Sequence, residues 1–103
     1  MSSQIDIVAI IVPKPGKADR IVELLSEVAD YAKVNEPGTL RYQVAVAKGE
    51  VIMIETYKDK AALGVHGSSE AFKTFQKKMQ DEDLTATSQL KILKNAGGYI
   101  SRL

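Results

Sequence analysis

Four side chains in the middle of the chain could do chemistry together: Tyr42, Glu55, Tyr57 and His66, the only histidine. A carboxyl group and an imidazole can accept or return a proton at near-neutral pH, and a phenol can orient a substrate oxygen through a hydrogen bond. Glu55 and Tyr57 stand two residues apart in the run IMIETY, so on a strand they leave from the same face. If Lys48 and Gly49 make a tight turn between strands at Thr39–Ala47 and Glu50–Tyr57, Val46 faces Val51, Val44 faces Met53, Tyr42 faces Glu55 and Leu40 faces Tyr57. All eight then share one face. Met53 from this face, with Phe72 and Phe75 from a later helix, would wall a cavity into which the polar groups converge. An apolar pocket with a few polar groups is the usual form of a small-molecule site.

Each of these residues also has a structural reading. A lone histidine between Gly64 and Gly67 is at home as a hydrogen-bonded linker residue, and Glu55 could pair with Lys58 at a strand end. Tyr42 and Tyr57 could be wall residues whose hydroxyls reach the rim, and Phe72, Phe75 and Met79 have core spacing.

Other chemistries lack their residues. There is no cysteine, so disulfides, thiolate metal sites and thiol nucleophiles are absent, and one histidine does not make a common zinc site. No phosphate-binding glycine motif follows a strand, Lys14-Pro15-Gly16-Lys17 reads as a turn, and no serine sits in a nucleophile elbow. The 14 basic and 13 acidic residues nearly cancel, which disfavours nucleic acid and anionic membrane as partners. No apolar run approaches a membrane span and no secretory leader is evident, so the expected location is the cytoplasm.

Positioning the four residues requires a folded unit, and 103 residues with 45% hydrophobic and 26% charged composition suit one globular domain over 1–103. Residues 5–12, IDIVAIIV, are almost continuously apolar and β-branched, which predicts a strand buried on both faces and ended by Pro13 and Pro15. Residues 18–34 place Ile21, Leu24, Leu25, Val28 and Ala32 at helical spacing, and Asn35-Glu36-Pro37-Gly38 stops that helix. The hairpin follows. Asp59 is a plausible N-cap for a short helix broken near Gly64 and Gly67, and a second helix from Ser68 or Ser69 buries Phe72, Phe75 and Met79. Residues 89–93 read as a last strand before Gly97-Gly98. The order βαββαβ is the α+β, ferredoxin-like arrangement, a four-stranded antiparallel sheet with its helices on one face.

The other face of such a sheet is bare, yet Val8, Ile10, Val12, Ile52 and Ile54 would lie on it. So much contiguous apolar surface calls for a cover, and a second copy packed sheet to sheet is the simplest one.

The runs EPGTLRYQV at 36–44 and IETYKDKAAL at 54–63, then His66 and SEAFK at 69–73, resemble the antibiotic biosynthesis monooxygenase family. Its pattern is an EPG turn, an L-R-Y strand, a strand ending in E-x-[WY], a link that often carries a histidine, and an S-x-x-F helix; the likeness covers about 5–79. The resemblance implies a dimeric α/β barrel with a site between the sheet and helices of each subunit. It also implies a cofactor-independent oxygenase, with O2 and a small aromatic, quinol or polyketide-like compound as partners and no flavin or metal. An electron-rich, deprotonated substrate can itself reduce O2, so the protein supplies a dry pocket, orientation and proton transfer. On that likeness His66 acts as base or proton shuttle, Tyr57 and Tyr42 orient a substrate oxygen, and Glu55 relays protons. Haem-degrading relatives use an asparagine, a tryptophan and a histidine where this chain has Ala9, His66 and Gln76, which disfavours haem. An isomerase of a small ketone and a non-catalytic stress or binding barrel are the alternatives.

Overall fold

The most apolar stretch of the chain occupies the centre of the sheet. The computed structural model describes residues 3–102. In it β1 (Ile5–Pro13) is followed by α1 (Ala18–Asn35), β2 (Thr39–Ala47), β3 (Glu50–Tyr57), α2 (Lys60–Ser68), α3 (Glu70–Asp81) and β4 (Thr85–Leu93). The strands form one antiparallel sheet in the order β2-β3-β1-β4, so β1 and β3 are flanked on both sides. This is the expected α+β ferredoxin-like fold. Among the described residues no helix is long and apolar enough to cross a membrane.

Alternation in β1 and β3 decides which side chains meet the helices. Ile7, Ile11, Val51, Met53, Glu55 and Tyr57 are buried on the helix side. Of these, Ile11, Val51 and Met53 pack with Ile21, Leu24 and Leu25 of α1 and with Leu84, each fully buried aliphatic side chain contributing roughly 2 kcal/mol. α3 ends where Asp83 takes a left-handed backbone (φ 53°), and Leu84 then turns into the core while its N–H donates to Met79 O at 3.2 Å. At the surface Arg20 grips both carboxylate oxygens of Glu82 at 2.8 Å, joining the start of α1 to the end of α3.

Four details depart from the sequence reading. The hairpin turns at Lys48-Gly49 with Gly49 at φ +74°, and Val46↔Val51, Val44↔Met53 and Tyr42↔Glu55 pair as expected. A register shift between Thr39 and Arg41 then pairs Thr39, not Leu40, with Tyr57, and Leu40 is 55% exposed. Gly64 and Gly67 do not break α2, because Asp59 caps it, accepting from Ala62 N–H at 2.9 Å. β4 begins at Thr85 rather than 89, since pairing with β1 extends it. Phe72, Phe75 and Met79 are only half-buried, because α3 leaves β4 uncovered and Leu90 and Ile92 stand exposed beside it.

Candidate active site

The site is assembled at the turn after α1. Pro37 cannot continue the helix, so Glu36 caps it, its N–H donating to Ala32 O at 2.9 Å, and Thr39 N–H donates to Glu36 O at 3.0 Å. The chain then passes directly against α2. A Cβ on Gly38 would stand 2.6 Å from Ala62 Cβ, so only glycine permits this approach. The contact brings Glu36 to His66 near the end of α2. Ser69 joins the two helices: its hydroxyl donates to His66 O at 2.9 Å and accepts from Phe72 N–H at 3.1 Å.

His66 Nδ1 lies 2.8 Å from Glu36 Oε1, and both residues are 3% exposed. Thr39 Oγ1 donates to the same oxygen at 2.9 Å. The imidazole is enclosed by three rings, with centroids at 4.8 Å (Tyr42), 5.0 Å (Phe72) and 5.4 Å (Tyr57). Among the described residues nothing pairs with His66 Nε2 or Glu36 Oε2, although both atoms are buried.

A second polar pair lies on β3. The Tyr57 hydroxyl donates to Glu55 Oε1 at 2.5 Å, with both residues buried. Burial pushes the Glu55 carboxyl above its ordinary range, opposed by the Tyr57 hydrogen bond. Burial, then the neighbouring carboxylates, hold Tyr42 protonated well beyond the ordinary phenol range; Tyr57 is raised likewise by burial and by its bond to Glu55. Glu55 also faces a cavity of about 220 Å³ between α3 and the sheet, whose walls include Ala9, Tyr42, Met53, Phe72, Phe75 and Leu90. Among the residues lining it, Glu55 is the only one with a carboxyl group.

Of the residues singled out in the sequence, Tyr42, Met53, Glu55, Phe72 and Phe75 lie on the cavity wall. His66 and Tyr57 are not among the lining residues; they stand behind it, His66 packed on the rings of Tyr42 and Phe72. Glu36, read only as a helix stop and part of the EPG turn, is the residue the sequence reading missed. The available signal was a carboxylate placed directly before Pro-Gly at a helix end, where its side chain is freed from the helix surface. Among the described residues no three His, Cys, Asp or Glu side chains are grouped to hold a metal ion.

The model of the family described as antibiotic biosynthesis monooxygenase matches residues 5–78, which span every element from β1 through most of α3. The chain belongs to this family. A protein of Caulobacter crescentus CB15, named as a candidate antibiotic biosynthesis monooxygenase, superposes with a TM-score of 0.82 at 27% identity, covering 93% of this chain and 92% of that one. A Pseudomonas aeruginosa protein superposes with a TM-score of 0.81 at 26% identity over 94% and 98% of the two chains. A Mycobacterium tuberculosis protein, 20% identical, shares the fold with a TM-score of 0.80 over 93% and 98%. None of the curated proteins matches the chain. Antibiotic biosynthesis monooxygenase membership and the name of the Caulobacter neighbour support a monooxygenase-like, oxidoreductase function.

Proposed function

We propose that the protein is a monooxygenase that oxidises a small electron-rich aromatic compound, a phenol, quinol or polyketide-like ring, with O2 and no cofactor. The observation that carries this reading is the Glu55 carboxyl, buried on the wall of an otherwise largely apolar cavity and held by Tyr57. A carboxyl whose affinity for protons is raised by burial is a competent acceptor for a weakly acidic C–H or O–H group. Its proton-bound form is stabilised in the same environment.

The chemistry balances without a further reductant. Glu55 takes a proton from an activated ring CH2, which a phenol or quinol presents in its keto form, and the carbanion passes an electron to O2. Recombination forms a C–O bond as a peroxide, which takes up a proton to become the hydroperoxide. Loss of water leaves a ring carbonyl: one oxygen atom is retained, the other departs as water, and all four electrons come from the substrate. Tyr42, which keeps its proton, can donate a hydrogen bond to a substrate oxygen where charge develops. The half-buried Phe72 and Phe75 rings, stacked at 5.8 Å, supply an apolar wall. A cavity of about 150 Å³ holds one benzene ring, so about 220 Å³ suits a ring system of roughly two fused rings.

Oxygen-electrode measurements with a panel of one- and two-ring quinols and ring ketones bearing an activated CH2 test this. Uptake that depends on Glu55 is the expected result; no uptake, or uptake unchanged in Glu55→Gln, would count against it and favour a non-catalytic binding barrel.

We propose further that two copies pair through the outer face of the sheet. The register sets Val8 beside Ile54 and Ile10 beside Ile52 on that face, where no helix packs, and the polar pair Asp6–Thr56 marks its edge with a 2.8 Å hydrogen bond. Polar Arg41, Gln43, Gln89 and Lys91 on the outer strands frame the apolar centre. A light-scattering mass of one chain at micromolar concentration would sink this proposal.

A further inference from the structure

We propose that Glu36 is a positioning residue for the oxidation. It holds His66 as the tautomer with hydrogen on Nδ1 and Nε2 bare, so that His66 can store the proton Glu55 removes from substrate. This rests on the oxygenase reading for its catalytic part, though not for the tautomer.

The arrangement of donors argues for the tautomer. Oxygen Oε1 of Glu36 faces two partners, Thr39 Oγ1 at 2.9 Å and His66 Nδ1 at 2.8 Å. A carboxylate oxygen accepts, so the hydrogen in the second contact belongs to Nδ1. A protonated Nε2 would then be a buried donor with no acceptor among the described residues, whereas a bare Nε2 is only an unfilled lone pair. A histidine retained for structure alone would be expected to pair both ring nitrogens in so buried a place. Here one nitrogen is tightly held and the other left open inside a cage of Tyr42, Tyr57 and Phe72.

The same geometry describes a proton store. Tyr57 touches both partners: its hydroxyl is on Glu55 and its ring lies against His66. Nε2 makes no hydrogen bond among the described residues, so passing the proton inward takes a bridging water or a shift of the ring; the transfer breaks the O–H bond of the Glu55 carboxyl, forms an Nε2–H bond on His66 and returns Glu55 to the carboxylate. The imidazolium so formed is balanced by Glu36 at Nδ1, as a buried carboxylate behind a histidine orients the ring and stabilises its charged form in other enzymes. The ionisable groups around the imidazole are Glu36 from the end of α1, Tyr42 from β2 and Glu55 and Tyr57 from β3; α3 contributes the neutral Phe72.

Because His66 is the only histidine, ¹⁵N-histidine labelling yields a single imidazole spectrum. The wild type should show protonated Nδ1 and unprotonated Nε2 at neutral pH, and Glu36→Ala should shift hydrogen toward Nε2. A wild-type Nε2 already protonated, as the other tautomer or as imidazolium, or a folded Glu36→Ala protein with the wild-type pattern, would overturn the proposal. Glu36→Gln keeps an acceptor oxygen without the charge: it should retain the Nδ1–H pattern and lower kcat about 100-fold, with KM changed less than about 2-fold. Wild-type kcat in that variant overturns the catalytic role even if Glu36→Ala fails to fold. Absence of any oxygen uptake by the wild type defeats the oxygenase reading and the proton store with it, and leaves the tautomer to be decided by the spectrum.

Discussion

The Tyr57 hydroxyl reaches back along one face of β3 to donate a 2.5 Å hydrogen bond to Glu55, two residues earlier. That bond orients the carboxyl group on the cavity wall. Glu55→Gln should therefore lower oxygen uptake about 100-fold while circular dichroism stays unchanged, and Tyr57→Phe, which leaves the carboxyl but frees its orientation, should lower uptake roughly 10-fold. Equal rates in all three proteins would remove the pair from the reaction.

Stability should depend on pH through the same carboxyl. Its affinity for protons is raised on folding, so above its ordinary value of 4.5 the native state binds more protons than the unfolded chain. Its contribution is complete below 4.5 and is lost as pH rises through the folded-state value. Urea midpoints of the wild type should fall relative to those of Glu55→Gln as pH is raised from 4.5, with the difference levelling off once the native carboxyl has ionised. Parallel curves would contradict the buried, raised carboxyl.

Tight passage of Gly38 against α2 predicts a steric pair. Gly38→Ala should cost about 1–3 kcal/mol by overpacking, because its Cβ would lie 2.6 Å from Ala62 Cβ. Ala62→Gly alone should cost up to about 1 kcal/mol in helix propensity. The double variant should recover part of the loss, as denaturant titration would show. Additive costs would mean that Ala62 is not the obstacle.

Ala9 lies on the cavity wall between Met53 and Leu90 on neighbouring strands. Ala9→Leu should fill the space at little cost in stability and raise KM for a two-ring substrate about 10-fold or more, consistent with roughly 0.8 kcal/mol for each apolar CH2 displaced from contact. An unchanged KM would place the substrate elsewhere.

Ile52 sits beside Ile10 in the middle of the outer sheet face. A charge there cannot be buried unpaired, so Ile52→Glu should give the mass of a single chain by light scattering, with the fold intact. A persistent dimer in this variant would locate the contact on another surface.

Much of the fold was legible in the chain because it depends on local periodicity. The bounds Thr39–Ala47 and Glu50–Tyr57 follow from alternation and one Lys-Gly turn, and they agree with the structure to the residue. The helix stop at 35–38 and the inward set of Ile21, Leu24, Leu25, Val28 and Ala32 follow from spacing and turn chemistry. Local pattern was a poorer guide to the shift near Leu40, since register at a strand end answers to the neighbouring strand, and to Gly64 and Gly67, whose cost a good cap offsets.

The candidate site divides in the same way. Glu55, Tyr57 and Tyr42 share a face by the two-residue repeat of the strand and the pairing across one hairpin, and this the sequence by itself determined. That Glu36 meets His66, thirty residues away, and that His66 stands behind the cavity wall, only the tertiary structure decided. The physical reason is that no repeat relates the end of α1 to the inner side of α2. Their meeting depends on Pro37 ending one helix and on Gly38, with no side chain, letting the turn close on Ala62.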